Sequence, residues 1–147
     1  MKSYFSFIFS LLLLGCASDR AALNIYSEPE GAYITNKQGQ PIGVAPVTAY
    51  FMSDVLKKYK DQSGCYLVNG FNAQWVSGAR ATTADTIRLC GEVNVSYDQR
   101  IIRNMNEPGL DKDLEFAMKV NSTRAQQQQS QASQDAVYFQ MMNSYKK

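Results

Sequence analysis

The chain has 147 residues, of which 45% are hydrophobic and 19% charged, with three cysteines and no histidine. That length fits one small domain with an appended element, and the lack of imidazole excludes Ser-His-Asp and Cys-His catalysis and every zinc site that needs His. A formal net charge of +2 gives no basic footprint for nucleic acid.

The amino terminus opens on the basic Lys2 and continues as an apolar run through residues 4–14. A membrane-spanning helix needs about 20 apolar residues, and this run is broken by Ser18-Asp19-Arg20, so a secretory signal is the better reading. It closes on Leu13-Leu14-Gly15-Cys16, which resembles the bacterial lipobox. The resemblance implies a signal peptide over 1–15, cleavage before Cys16, and acylation of that cysteine. More than one acyl chain gives stable attachment, at about 0.8 kcal/mol per buried CH₂. In such lipoproteins an Asp directly after the Cys favours the inner membrane; Ala17 stands here, which implies the outer membrane. Lys2 is the one charged residue in 1–15, so cleavage lowers the net charge from +2 to +1. A near-neutral chain has no electrostatic pull toward anionic lipid, which leaves the anchoring to the acyl chains. Residues 16–21 are then a short lipidated tether.

Leu23 and Ile25 alternate with polar or amphipathic neighbours, the period of a half-buried strand. Pro29 and Gly31 suit positions i+1 and i+3 of a type I turn, and Tyr33-Ile34-Thr35 favours strand again. A second turn at residues 36–40 leads through Pro41-Ile42-Gly43-Val44-Ala45-Pro46 into residues 47–51. The combination Ser27-x-Pro29-Glu30-Gly31-Ala32, a turn, and Ile42-Gly43-x-Ala45-Pro46 resembles the PEGA domain, a small β-rich module of bacterial surface proteins. Ala45 replaces that family's usual Thr, and the clear match covers about residues 22–51.

Residues 52–60 place Val55, Leu56 and Tyr59 at helical spacing after a Ser53/Asp54 cap and predict a short helix. Strands are expected at 65–68, 73–77, 86–90 and 93–97, with Asn69-Gly70 as a hairpin turn between the first two. Cys65 and Cys90 are an even pair in an exported chain and read as a structural disulfide, with buried thiols or a redox pair as the alternatives. No CxxC and no nearby His or clustered Lys lowers either thiol's pKa. Trp75, with Phe71 close by, is either an aromatic platform for glycan or a core anchor.

After Pro108-Gly109 the chain holds no Gly or Pro. Asp111 and Asp113 suit a helix amino terminus better than a metal site, since calcium takes six to eight oxygens. Leu114, Met118, Asn121, Ala125, Gln128, Ala132, Asp135, Phe139 and Met142 recur at 3/4 spacing, an apolar seam diluted by Gln and Ser in the middle. This predicts one long, partly solvated helix over 107–147, with a disordered Gln-rich tail as the alternative. Val137, Tyr138, Phe139, Met141 and Met142 form a candidate apolar plug for a partner. The terminal Ser144-x-x-Lys147 lacks a scaffold to activate it, and no phosphate-binding glycine loop is present.

The expected protein is mainly β: a small PEGA-like β-sandwich over 22–106 with a disulfide-pinned second half, followed by a long C-terminal helix. No catalytic residues, metal or cofactor are expected. The function implied is a non-enzymatic, outer-membrane-anchored adaptor or structural component facing the periplasm, joined to the membrane through Cys16 and to a protein partner in an envelope assembly. The alternative is a peptidoglycan- or surface-glycan-binding lipoprotein using Trp75, with Phe71, and the Tyr residues.

Overall fold

The computed structural model describes residues 19–144, with side chains described as far as residue 131. Nine strands and two helices follow in order: β1 (Arg20–Glu28), β2 (Tyr33–Asn36), β3 (Pro41–Val44), β4 (Val47–Met52), α1 (Ser53–Lys57), β5 (Tyr66–Asn69), β6 (Phe71–Gln74), β7 (Arg80–Thr82), β8 (Thr86–Leu89), β9 (Ser96–Ile102) and α2 (Leu110–Ser144). The mainly-β architecture with a disulfide and a long C-terminal helix is as expected.

Strand β1 is the spine. Its alternation buries Ala21, Leu23, Ile25 and Ser27 on one face, as a period-2 strand with one face on a core must. It pairs antiparallel with β4 and parallel with β9, giving a three-stranded sheet in the order β4-β1-β9. A four-stranded sheet, β3-β2-β6-β7, and the pair β5-β8 complete the fold. All three sheets contribute to a single core, including Leu23, Ile25, Ile34, Phe71, Leu89 and Ile101.

The turn after β1 falls where the Pro and Gly spacing places it, with a cis Glu28–Pro29 peptide and Gly31 at φ +93°. The two halves of the Pro/Gly pattern bond to each other: the Gly31 N–H donates to the Ala45 carbonyl at 3.1 Å, and the Ala45 N–H donates to the Ala32 carbonyl at 2.9 Å. Ser27 Oγ donates to the Pro29 carbonyl and accepts from the Ala32 N–H, closing the turn from within.

Four expectations change. Asn69-Gly70 is no hairpin turn, because β5 pairs with β8 whereas β6 pairs with β2 and β7. The chain passes there from one sheet to another. Gly70 is required by crowding: a Cβ would collide with the Ala84 carbonyl oxygen and Thr83 Oγ1, while the Gly70 N–H donates to the Asp85 carbonyl. The strand expected at 73–77 ends at Gln74, and the one expected at 93–97 starts at Ser96 and runs on to Ile102. Ser53 does not cap α1: it is buried, and its Oγ donates to Asn94 Oδ1 across the fold.

The fourth change is the phase of α2. Leu114 and Met118 were expected on the inner seam, yet they are 49% and 65% exposed. The face turned to the domain carries Asp113, Phe116, Ala117, Val120 and Arg124, a 3/4 spacing one position out of step with the expected seam. Residues 125–131 are all exposed.

Gly70→Ala is expected to cost at least 1–3 kcal/mol, the range for overpacking a closed site. Urea unfolding of the variant beside the parent measures it, and an unchanged midpoint would show that the crossing strand can shift to make room.

Candidate functional site

Among the described residues no group of three or more His, Cys, Asp or Glu side chains could hold a metal ion. The distinctive chemistry lies instead where α2 meets the sheets. Strand β9 runs directly into Arg103, whose side chain is fully buried together with that of Asp113 in the first turn of α2. Arg103 Nε donates to Asp113 Oδ2 at 2.7 Å. Its other nitrogens donate to the carbonyls of Asn104, Glu107 and Pro108, the loop that leads into the helix. Asp113 also accepts from the Ser77 N–H at 2.9 Å and from Ser77 Oγ at 2.7 Å.

Both charges are therefore saturated. A buried guanidinium and carboxylate are tolerated only when paired and further hydrogen-bonded, because desolvation costs several kcal/mol per ion. Asp113 stands in the first turn of α2, as expected of acidic charge at a helix start, and is buried there as an internal ligand for Arg103 and Ser77. Asp111 remains exposed in the first turn, where negative charge suits the helix dipole. No sequence motif singled out Arg103 or Ser77; Arg103 lies past the last expected strand, and only a buried neighbour could have revealed it.

Further along, Gly31 is the floor on which α2 rests. A Cβ at Gly31 would lie 2.8 Å from Phe116 Cδ1 and 3.5 Å from Val120 Cγ2, so the helix approaches the backbone as closely as a residue without a side chain allows. One turn on, Arg124 Nη2 donates to the carbonyls of Val44 and Pro46, each at 3.1 Å, and Nη1 faces Glu30 at 3.9 Å. Residues 30–31 and 44–46 of the Pro/Gly pattern are thus the docking surface for the helix.

Trp75 and Phe71 are corrected as ligand-binding residues. They are 2% and 3% exposed, and neither ring offers a face to a sugar. Trp75 Nε1 donates to the Pro29 carbonyl at 2.8 Å, which ties the turn after β1 to the second half of the domain. The core-anchor alternative is the one the structure supports. Cys65 and Cys90 form a disulfide. Beside it, the Cys65 N–H and then the Arg88 guanidinium hold the Asp61 carboxyl below its ordinary pKa. Cys16 lies outside the described residues, and the side chains of Val137, Tyr138, Phe139, Met141 and Met142 lie beyond those described.

No helix among the described residues is long and apolar enough to cross a membrane. Compared with family models, curated proteins and solved structures, the chain finds no match.

Asp113→Ala is expected to cost about 3–5 kcal/mol, since it strands a buried guanidinium. The double variant Arg103→Met with Asp113→Ala is expected to cost less than the two single changes summed, because the second removes the charge that the first exposed. Urea unfolding of the four proteins of this cycle measures the coupling; strict additivity would show that the two groups act independently.

Proposed function

We propose that this chain is an outer-membrane lipoprotein, anchored through Cys16, in which a PEGA-like β-domain holds a helical arm out for a protein partner in the envelope. The adaptor role is non-enzymatic. The observation that carries it is the geometry of the two ends. Because β1 and β9 are parallel with Ala22 opposite Ser96 and Glu28 opposite Ile102, the tether enters at one end of the sheet and the helix leaves from the other. Six residue steps, from Ala22 to Glu28, separate those ends by about 20 Å.

The helix then crosses the far end rather than returning along β1. Its contacts are with Gly31, Val44, Pro46 and Ser77, which border the ends of β1, β3, β4 and β6 away from the tether. Beyond Arg124 the backbone stays helical for another 20 residues, Ala125 to Ser144, about 30 Å at the usual rise. An anchor at one end and, at the other, a helix whose residues 125–131 are exposed suit a scaffold that presents a binding segment away from the membrane. The glycan-binding alternative loses Trp75 and Phe71, which are buried, and is left with exposed tyrosines such as Tyr33, Tyr50 and Tyr59.

Truncation after Arg124 separates the arm from its docking contacts. The truncated protein is expected to unfold at the parent's urea midpoint but to lose the partner recovered after mild crosslinking and affinity purification. An unchanged partner set would sink the adaptor reading. In a second measurement, Cys16→Ser is expected to abolish incorporation of labelled palmitate and release the protein from the membrane fraction; a variant that stays in the membrane would overturn the anchor.

A further inference from the structure

Helix α1 stands at the tether end of the domain with an apolar side uncovered. The Ser53 N–H at its start donates to the Asp19 carbonyl at 3.1 Å, and Met52 just before it lies opposite Arg20 in the register of β1 and β4. Ser53 and Leu56 are buried, whereas Met52, Val55 and Tyr59, three and four residues apart, share an exposed side. Tyr50 joins them from β4, where Ala49 and Phe51 pack on the core and the alternate residues Tyr50 and Met52 face out. These four side chains are from 45% to 67% exposed.

What covers this surface follows from the length of the tether. On the reading of Cys16 as the acylated anchor, on which this inference rests, three residue steps from Cys16 to Asp19 reach at most about 11 Å. The headgroup layer of one leaflet is itself about 5–8 Å deep. An acylated Cys16 at the base of that layer holds Asp19, and the start of α1 bonded to it, in or directly against the headgroups. The remaining gap of about 3–6 Å is narrower than a single helix, so no second protein fits between. Charge has a lesser part. Arg20, Lys57, Lys58 and Lys60 at this end stand against Asp19, Asp54 and Glu92, all exposed, while Asp61 is paired with Arg88. Among the described residues none of the four cations is in an ion pair, and Lys60 Nζ lies over the Tyr66 ring. Such side chains lay their stems along apolar surface and keep the ammonium at the level of the phosphates; they fit a lipid surface without selecting it.

We infer that α1 and the end of β4 rest on the lipid surface, with Tyr50, Met52, Val55 and Tyr59 at the level of the headgroups, where tyrosine and apolar side chains are favoured. The acyl chains already hold the protein to the bilayer, so this contact sets orientation. With two points of attachment the far end of β1, and α2 with it, is turned away from the membrane. This goes beyond the adaptor reading, which needs only the anchor and the arm.

The test uses the full lipidated protein in vesicles of phosphatidylethanolamine and phosphatidylglycerol, with an environment-sensitive fluorophore on Val55→Cys or, at the far end, on Met118→Cys. With Cys16 acylated and Cys65 bridged to Cys90, the introduced thiol is the one that labels. Lipids brominated near the headgroup, about 5–10 Å deep, are expected to cut the emission at position 55 about twofold or more and to leave position 118 unchanged. Should Val55→Cys fail to fold, Tyr59→Cys carries the probe on the same side with the same expectation. Equal quenching at both positions, or none at 55 and 59, would overturn the inference, and labelled palmitate on Cys16 would then leave the anchor reading standing. Emission at 55 that shifts to the blue as protein is crowded on the vesicle, without bromine quenching, would make the occupant a second copy and overturn it as well. No palmitate on Cys16 would remove the anchor and this contact together, so the two failures are distinguishable.

Discussion

The buried pair of Arg103 and Asp113 fixes the rest of the arrangement. It does so through geometry more than through energy. A buried ion pair replaced by well-packed apolar groups is often no less stable, so its contribution lies in admitting one solution. Arg103 is the first residue after β9, and its guanidinium gathers the carbonyls of the following loop. Asp113 has to face that guanidinium and Ser77 together. Once Asp113 points inward, the 3.6-residue period turns Phe116, Ala117, Val120 and Arg124 inward as well. Leu114 and Met118 are then left on the solvent side. The rotational setting of a 35-residue helix is decided in its first turn.

That setting would have no consequence if the start of the helix were not itself positioned. The parallel pairing of β1 with β9 does this by joining segments more than 70 residues apart. Parallel neighbours need a long connection, and here everything from β2 to β8 is that connection. The core it builds is shared with the β1 face, so the first strand and the strand that launches the helix are held by the same apolar contacts. Trp75 adds a polar stitch to this core at the Pro29 carbonyl. It links the turn that ends β1 to the strand that precedes Ser77, and so ties the floor under the helix to the residue that grips Asp113.

Much of the local structure was legible in the sequence because it is set by near neighbours. The alternation of Leu23 and Ile25, the turn at Pro29 and Gly31, the cysteine pair and the break before the helix all depend on residues close in the chain or on residue type alone. What was not legible depends on distant partners. Asn69-Gly70 carries a strong hairpin signal, yet its flanking strands find partners in different sheets, and the glycine serves to let the Ala84 carbonyl approach. Asp113 is the helix-start charge that its position suggests, but its burial against Arg103 is invisible to any local pattern. The seam was misphased for the same reason: apolar Leu114 and Met118 outscored a face that contains Asp113 and Arg124, two charged residues that the fold buries or docks. An apolar stripe identifies the inner face only where hydrophobic contact alone decides the docking, and here ionic contacts at both ends of the docked segment decide it.

The same division accounts for how a helix with so few apolar residues in its middle persists past the domain. Starting a helix is unfavourable, because several residues must be fixed before the first hydrogen bond forms, whereas each further residue adds a bond. The docked turns from Leu110 to Arg124 meet that starting cost with tertiary contacts. The continuation through Gln126 to Gln129 and Ala132 then needs only propagation, for which Gln and Ala are good residues. The exposed turns from 125 to 131 are thus helical by propagation, with the β-domain serving as their nucleus.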